Sequence, residues 1–399
     1  MNHKALVFIF RLLSLVVLLA IPSAILAQVN PPDLQWFHTY GGAYSEDMRM
    51  ITLDGEGGFV AAGASAGENH RNIVMYLINV DGEGQVIWEQ TYSYGEKTKA
   101  KDIFRLPGGG YIVSGYFVNN DGTHMDALIM RLDNEGNVLW DYVFEGYAND
   151  VAWRTLPVEG GYVTVGITES NAAKQRDAFL IKLTEDGEEV WHREIGTPNG
   201  ERATCMTVLP DGGFALAGRM RDIDNLIEDG WLVRTDSEGI VLWTQTYGGD
   251  RREEFLWIES LEEGGFILCG KTNSNNNRDD FDHWLVKTDA DGDVLWERTY
   301  GNVTGDDWAQ MVQVLPDGYV MAGRGYTPTR SGELNLIRLT TDGEIVYSVL
   351  GGGPWNDKAY AVRVLPDGGY VIMGTKFDVN DGYSDLLIAR FSPDNPFPR

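Results

Sequence analysis

The chain has 399 residues, of which 48 are glycine, and it carries a formal net charge of −27 at pH 7. This charge repels nucleic acid and anionic lipid, so neither is an expected partner, whereas it favours cationic partners and divalent cations. Hydrophobic residues make up 43% of the chain, which excludes a disordered protein and provides material for a core. Many glycines without low-complexity tracts indicate tight turns between short strands.

Residues 1–27 have the pattern of a secretory signal peptide. Lys4 and Arg11 supply positive charge, and the apolar run that follows them is too short to span a bilayer comfortably. Small residues precede the expected cleavage site, so we expect export and a mature single domain of residues 28–399. The location is then secreted, periplasmic or at the cell surface, without membrane insertion after cleavage. An uncleaved membrane anchor is the alternative.

The rest of the chain repeats one motif, an aromatic residue followed four positions later by glycine. Successive copies are 51 to 53 residues apart, and most follow a turn such as Asp211-Gly212-Gly213. The copies are Phe59/Gly63, Tyr111/Gly115, Tyr162/Gly166, Phe214/Gly218, Phe266/Gly270, Tyr319/Gly323 and Tyr370/Gly374. A fixed period of this length is the signature of a repeat architecture.

A second landmark in most copies is a tryptophan that follows a short glycine-containing turn, as Trp243 follows Gly239. Turns and apolar runs divide each copy into four short strands, which predicts four antiparallel strands per repeat. Four-stranded units repeated radially are the architecture of a β-propeller. The sequence therefore predicts an all-β, seven-bladed β-propeller.

The two ends of the repeat region complement each other. Residues 34–40 (LQWFHTY) match the fourth strand of a repeat, residues 241–247 (VLWTQTY), but no first three strands precede them. Residues 385–391 match a third strand, and no fourth strand follows. We therefore expect the N-terminal strand to complete the last blade and close the ring, which removes an exposed sheet edge.

In combination, the Thr-Tyr-Gly-Gly, Asp-Gly-Gly-aromatic, Asp and Gly-x-x-x-Trp motifs resemble those of the bacterial secreted β-propeller repeat family, over about residues 34–391. The resemblance implies an extracytoplasmic propeller and no particular activity.

Two sets of recurring residues are interpreted as structural. One tryptophan per blade is expected to pack between blades, and an Asp at the start of third strands is expected to accept backbone hydrogen bonds. The first set is Trp36, Trp88, Trp140, Trp191, Trp243 and Trp296, and the second is Asp126, Asp177, Asp229, Asp282 and Asp385. Cys205 and Cys269 are expected to be buried free thiols, with a disulfide as the alternative.

Function is sought where the repeats differ, in the loops of one face. Aromatics beside carboxylates there predict a site for a glycan or protein ligand. The candidate ligand-binding residues are Tyr44, Trp257, Trp308, Trp355, Tyr360, Asp307 and Asp357. The function expected is a non-catalytic binding or scaffold module, with no catalytic residue assigned. The protein is expected to be a monomer.

Two alternatives stay open from the residues alone. Acidic side chains in a central funnel would suit a propeller-type polysaccharide hydrolase or lyase. No cofactor is expected, but the Asp- and Asn-rich loops, such as residues 119–121 and 273–280, offer oxygen ligands for Ca²⁺.

Overall fold

The computed structural model describes most of the chain after the first 28 residues. The described residues are 17–18, 29–42, 44–67, 73–120, 122–170, 176–222, 227–274, 279–301, 305–327, 330–351, 357–378 and 382–396. Apart from residues 17–18, the predicted signal peptide lies outside them. Within these ranges the secondary structure is all β, and no helix is present that could cross a membrane.

The strands follow one another with short turns between them. In chain order they are Leu34–Tyr40, Glu46–Leu53, Phe59–Ala66, Ile73–Val80, Val86–Tyr92, Lys97–Arg105, Tyr111–Val118, Met125–Leu132, Val138–Phe144, Asp150–Val158, Gly161–Thr168, Asp177–Leu183, Glu189–Ile195, Gly200–Val208, Phe214–Arg221, Glu228–Thr235, Val241–Tyr247, Glu253–Ser260, Phe266–Thr272, Asp282–Thr288, Val294–Tyr300, Trp308–Leu315, Gly318–Thr327, Arg330–Leu339, Ile345–Gly351, Lys358–Val364, Tyr370–Phe377 and Ser384–Phe391. Two-residue pairings add Val17–Leu18 to Ile345–Gly351, and Val29–Asn30 to Asn395–Pro396.

From Glu46 onward, successive strands pair antiparallel in groups of four. Strand pairing divides the chain into six larger sheets rather than seven, because one sheet contains eight strands. In that sheet two four-stranded units are joined by a single parallel residue pair, Ile73 with Lys97. We call the first strand of each four-stranded unit its inner strand and the fourth its outer strand.

The inner strands form a closed ring. They are Glu46–Leu53, Lys97–Arg105, Asp150–Val158, Gly200–Val208, Glu253–Ser260, Trp308–Leu315 and Lys358–Val364. Each contacts the next one along the chain, and the last contacts the first. Antiparallel four-stranded sheets arranged radially around such a ring make this domain a β-propeller.

The N-terminal strand closes the last sheet, as the sequence predicts. Leu34–Tyr40 pairs antiparallel with Ser384–Phe391, so that Leu34 lies opposite Phe391 and Tyr40 opposite Leu386. The backbone nitrogen of Ser392 donates to the carbonyl of Asp33 at 2.9 Å, which extends the pairing beyond the strand. The sheet thus has its outer strand from the beginning of the chain.

The core lies between neighbouring sheets. Second strands such as Gly161–Thr168 are buried along their whole length, whereas outer strands such as Val241–Tyr247 alternate between exposed and half-buried side chains. Continuous apolar runs suit strands that are covered on both faces, and alternating runs suit strands with one wet face. Burying each large apolar side chain contributes about 1.5–3 kcal/mol.

The outer-strand tryptophans are half-buried and pack on the next sheet. Trp88 contacts the repeat aromatic Tyr111 with ring centroids 6.3 Å apart, and its indole nitrogen donates to the carbonyl of Asn134 at 3.1 Å. Equivalent indole bonds run from Trp36 to Gly82 and from Trp140 to Glu185. The two landmarks of the sequence motif therefore meet between neighbouring sheets.

At the outer strand Ile345–Gly351, the residue at the tryptophan position bonds to a different kind of partner. Tyr347 occupies the tryptophan position, but the sheet that follows has no turn for it, because its outer strand comes from the N-terminus. The C-terminal Asp394 takes the place of that turn. Its carboxylate accepts hydrogen bonds from Tyr347, from Tyr370 at 2.9 Å and from Nε of Arg338 at 3.0 Å.

The third-strand aspartates lie where the outer strands end, as Asp177 does beside Gly196. Asp126 and Asp177 are buried, and Asp229 has a raised pKa because of burial and the neighbouring carboxylate of Glu253. Asp282 and Asp385 are at the equivalent positions, each beside a glycine that follows an outer strand.

Both cysteines are buried and free, which confirms that interpretation. The Cys205 thiol donates to the carbonyl of Ala217 at 3.4 Å. Burial raises the pKa of Cys205 to about 12, so this thiol is unreactive in the folded protein.

Replacing Gly187 with alanine should destabilise the domain through the contact between sheets. Gly187 has a φ of +84°, and a Cβ there would lie 2.6 Å from the Trp140 ring. Gly160→Ala is the matched control, since its φ is +72° but a Cβ would meet nothing within 4 Å. We expect urea denaturation to show a loss of about 1 kcal/mol for the control and about 1–3 kcal/mol more for Gly187→Ala. Equal losses would contradict the role of this contact.

Candidate functional site

Each inner strand contains one β-bulge at the same place. The register shifts by one residue, for example between Met48 and Met50, and leaves the bulged residue without a partner. The bulged residues are Arg49, Lys101, Trp153, Thr204, Leu256, Gln310 and Tyr360. All of them line one cavity of about 390 Å³ in the centre of the ring. The bulges therefore set which side chains face the ring's interior.

The lining of this central cavity is strongly cationic. It includes six Lys or Arg side chains and two carboxylates, an excess of four positive charges if every group is ionised. The cations are Arg49, Lys101, Arg154, Arg202, Lys271 and Lys358, and the acids are Asp102 and Glu254. This local charge is opposite to the chain's net charge of −27. Walls of low dielectric strengthen the field of these cations inside the cavity.

Aromatic rings lie against these cations. Trp153 has Nζ of Lys101 4.4 Å from its ring centroid, and the Arg202 guanidinium carbon 4.9 Å from it. Trp257 has the Arg154 guanidinium carbon at 3.8 Å. Cation–π contacts of this kind hold a charged head in place without using its hydrogen-bond donors.

The remaining lining residues repeat this pattern. The guanidinium carbon of Arg49 lies 5.1 Å from the ring centroid of Tyr360. Nζ of Lys358 lies 5.7 Å from the centroid of Trp308. Cations and aromatic faces thus alternate around the cavity.

The two carboxylates are surrounded by cations. Glu254 lies 3.7 Å from Nε of Arg202 and 3.3 Å from Nζ of Lys271. Burial alone would raise the pKa of Glu254, but neighbouring cations hold it below its usual range. Asp102 lies 3.8 Å from Nε of Arg154, and burial raises its pKa in spite of that contact.

Three cations of the cavity keep donors available. Among the described residues, no carboxylate lies within 4 Å of Nζ of Lys101 or Lys358. Arg154 is 8% exposed, and its Nε and Nη1 have no hydrogen-bond partner in the described part of the chain. Burial and the nearby charge of Arg49 lower the pKa of Lys101 to about 7. Burial and the Arg324 charge also lower the pKa of Lys358.

The structure does not bring all seven candidate ligand-binding residues together. Trp257, Trp308 and Tyr360 line the central cavity. Asp307 and Asp357 are buried and accept backbone bonds, the first from Tyr326 and the second from Phe377.

The two other candidates lie elsewhere. Tyr44 contacts Tyr383 edge-on, with ring centroids 6.0 Å apart, and does not line the central cavity. Trp355 is outside the described residues. The assignment of these residues to ligand binding stays a prediction.

The cavity's cations were missed by the sequence argument, which looked for function in variable loops. Lys101, Arg154 and Lys358 are on inner strands, where the repeat motif predicts only packing. The available signal was charge within an apolar strand, as in the runs TKAKDIF and DVAWRTL. A bulge brings two nearby residues of a strand to the same face, so the two-residue period of a regular strand does not locate them.

The residues of the described ranges form no evident metal-binding site. No group of three or more His, Cys, Asp or Glu residues is placed to hold a metal ion there. Much of the Asn-rich loop, residues 275–278, lies outside these ranges, and Ca²⁺ binding at the loops stays a prediction.

Comparison with solved structures is consistent with this architecture. The chain resembles Sqt1 from Chaetomium thermophilum with a TM-score of 0.51 at 9% identity, over 91% of this chain and 98% of that one. It also matches the β-propeller domain of the trilobed protease from Pyrococcus furiosus, with a TM-score of 0.47 at 8% identity, over 92% and 97%. No protein-family model matches the sequence, and no curated protein sequence matches it. At these identities the likeness to Sqt1 concerns the fold alone.

Proposed function

We propose that the chain is an exported, seven-bladed propeller that works as a non-catalytic binding module. The blade count is supported by the inner strands, each of which carries its own bulge and contacts its two neighbours in the ring. The single pair Ile73–Lys97 that joins two units into one sheet is then a local bridge between blades. Export is supported by the signal-peptide pattern of residues 1–27.

The ligand that we propose is anionic and binds in the central cavity. The observation that carries this proposal is the excess of cations around a cavity of about 390 Å³. Buried polar groups normally have hydrogen-bond partners. Nε and Nη1 of Arg154 have none among the described residues, although Asp102 lies 3.8 Å from Nε, so this guanidinium can still donate to a carboxylate or phosphate. The Trp257 ring holds this guanidinium by a cation–π contact, with its centroid 3.8 Å from the guanidinium carbon.

A polysaccharide hydrolase has less support. Such an enzyme uses two carboxyl groups, one of them protonated at the working pH. The cavity lining has two acids among six cations. Glu254 lies beside Arg202 and Lys271, and Asp102 lies 3.8 Å from Nε of Arg154. The lining therefore suits anion binding better than glycosidic bond cleavage.

The proposal is tested by calorimetric titration with citrate, galacturonate and inorganic phosphate. We expect the protein to bind an anion of this panel and Arg154→Gln to weaken that binding about 10- to 100-fold, because each charge-assisted hydrogen bond contributes about 1.5–3 kcal/mol. Arg298→Gln is the charge-matched control, since Arg298 packs on Trp296 of an outer strand. Binding of none of the three anions, or equal loss in both variants, would contradict the proposal.

A further inference from the structure

The cations of the central cavity come from all around the ring. Arg49, Lys101, Arg154 and Arg202 belong to the inner strands of four successive units. Lys271 belongs to the next unit, and Lys358 to the inner strand of the last. An anion in the cavity therefore meets positive charge in several directions rather than along one wall.

The three cations with available donors are also spread around the ring. Lys101 and Arg154 are on neighbouring units, and Lys358 is on the unit at the other side of Arg49. Each lies against a separate tryptophan, Trp153, Trp257 or Trp308, so each head group is held in its own place. One carboxylate cannot satisfy three donors held at separate places.

The size of the cavity limits what can meet these donors together. About 390 Å³ is near the lower end of the range of small-molecule sites, about 300–1,000 Å³. A linear acidic polysaccharide places its charges along an extended chain, so only a short part of it would fit. A small branched skeleton can direct several charges outward at once.

We infer that the central cavity takes a compact polyvalent anion, a small skeleton that bears three or more carboxylate or phosphate groups. This inference rests on the proposed function and names the class of its ligand. Lys101, Arg154 and Lys358 each bind a separate anionic group, and the aromatic rings behind them hold the donors in position. Arg202 and Lys271 stay paired with Glu254 and complete the positive wall.

The charge environment of Lys101 agrees with this arrangement. Burial and the charges of Arg49, Lys99 and Arg202 outweigh the opposing effect of Asp47 at Lys101. The pKa of Lys101 is therefore low because positive charge is crowded there without enough counter-charge. A polyvalent anion would supply that counter-charge.

The experiment is calorimetric titration at constant ionic strength with acetate, succinate and propane-1,2,3-tricarboxylate, and separately with phosphate and inositol hexakisphosphate. Penta-galacturonate is the linear competitor. We expect affinity to rise at least tenfold with each added carboxylate, and the compact polyanions to bind more tightly than penta-galacturonate. The two series distinguish carboxylate from phosphate as the preferred group.

Variants make the assignment specific. Lys101→Met and Lys358→Met should each weaken the tricarboxylate about tenfold while leaving acetate nearly unchanged. Lys97→Met, which removes the same charge from an exposed position, should change neither. If acetate binds as tightly as the tricarboxylate, or penta-galacturonate binds more tightly than every compact polyanion, the inference is wrong although the cavity still binds anions. If no anion in any series binds, the proposed function itself is wrong.

Discussion

A chain that begins at residue 45, and therefore lacks the closing strand Leu34–Tyr40, should lose most of its stability. The strand supplies the whole ladder opposite Ser384–Phe391, and Tyr40, which is buried, donates to the carbonyl of Gly84 in the next unit at 2.7 Å. Its removal exposes a strand edge and uncovers the core on both sides of the junction. The free energy of unfolding of a domain is only about 5–15 kcal/mol. We therefore expect the shortened chain to be partly unfolded even without urea, or to unfold in urea without a single sharp transition.

Two further chains show whether closure is the cause. A chain that begins at residue 31 keeps the strand and should unfold like the full mature protein. A permuted chain that begins at residue 45 and carries residues 33–42 after Asp394, through a short flexible linker, should recover the sharp transition. If the shortened chain unfolds like the full-length protein, or the permuted chain stays unstable, closure by this strand is not what holds the ring together.

Replacing Asp394 with alanine should lower the free energy of unfolding by about 3 kcal/mol. This is the lower end of the loss expected when one partner of a buried ion pair is removed. The Arg338 side chain is 4% exposed and lies 3.0 Å from the Asp394 carboxylate. The hydroxyl groups of Tyr347 and Tyr370 lose their acceptor in the same variant. Arg338 keeps its ion pair with the exposed Asp317, which limits the loss. Denaturant unfolding of the full-length protein measures the change.

Asp279→Ala is the control for Asp394→Ala, because it removes an ion pair with Arg251 that is exposed to solvent. Exposed pairs contribute little to stability, so no measurable change is expected there. A similar small change for Asp394→Ala would mean that the C-terminal segment does not support the junction.

The fold was predictable because every repeat contains the same sequence motif at the same spacing. The aromatic–glycine pair and the turn glycines mark where strands begin and end, and Trp88 against Tyr111 shows that the two landmarks meet between neighbours. The match between residues 34–40 and the fourth strands was enough to predict closure, and the pairing of Leu34 with Phe391 confirms it. The structure has six larger sheets where the sequence predicts seven blades, because the pair Ile73–Lys97 joins two four-stranded units into one sheet.

The site was predictable only in part, for two physical reasons. Net charge is a sum over the chain and does not describe the field in one cavity, so a charge of −27 suggested cationic ligands whereas the cavity lining is cationic. The bulges are the second reason. They place both Trp153 and Arg154 on the cavity lining, which the two-residue period of a regular strand would not allow. Trp257, Trp308 and Tyr360 line the cavity, but they lie on inner strands and not in the loops where the sequence analysis placed them.

Closure by Leu34–Tyr40 and Asp394 has a consequence for the order in which the molecule can mature. The strand that completes the last sheet is among the first parts of the domain to be synthesised, and its partner, Ser384–Phe391, is among the last. Contacts between such distant segments form slowly, because a long loop must close first. During synthesis Leu34–Tyr40 therefore has no strand partner while the intervening units are made, and the ring can close only after residues 384–391 have left the ribosome.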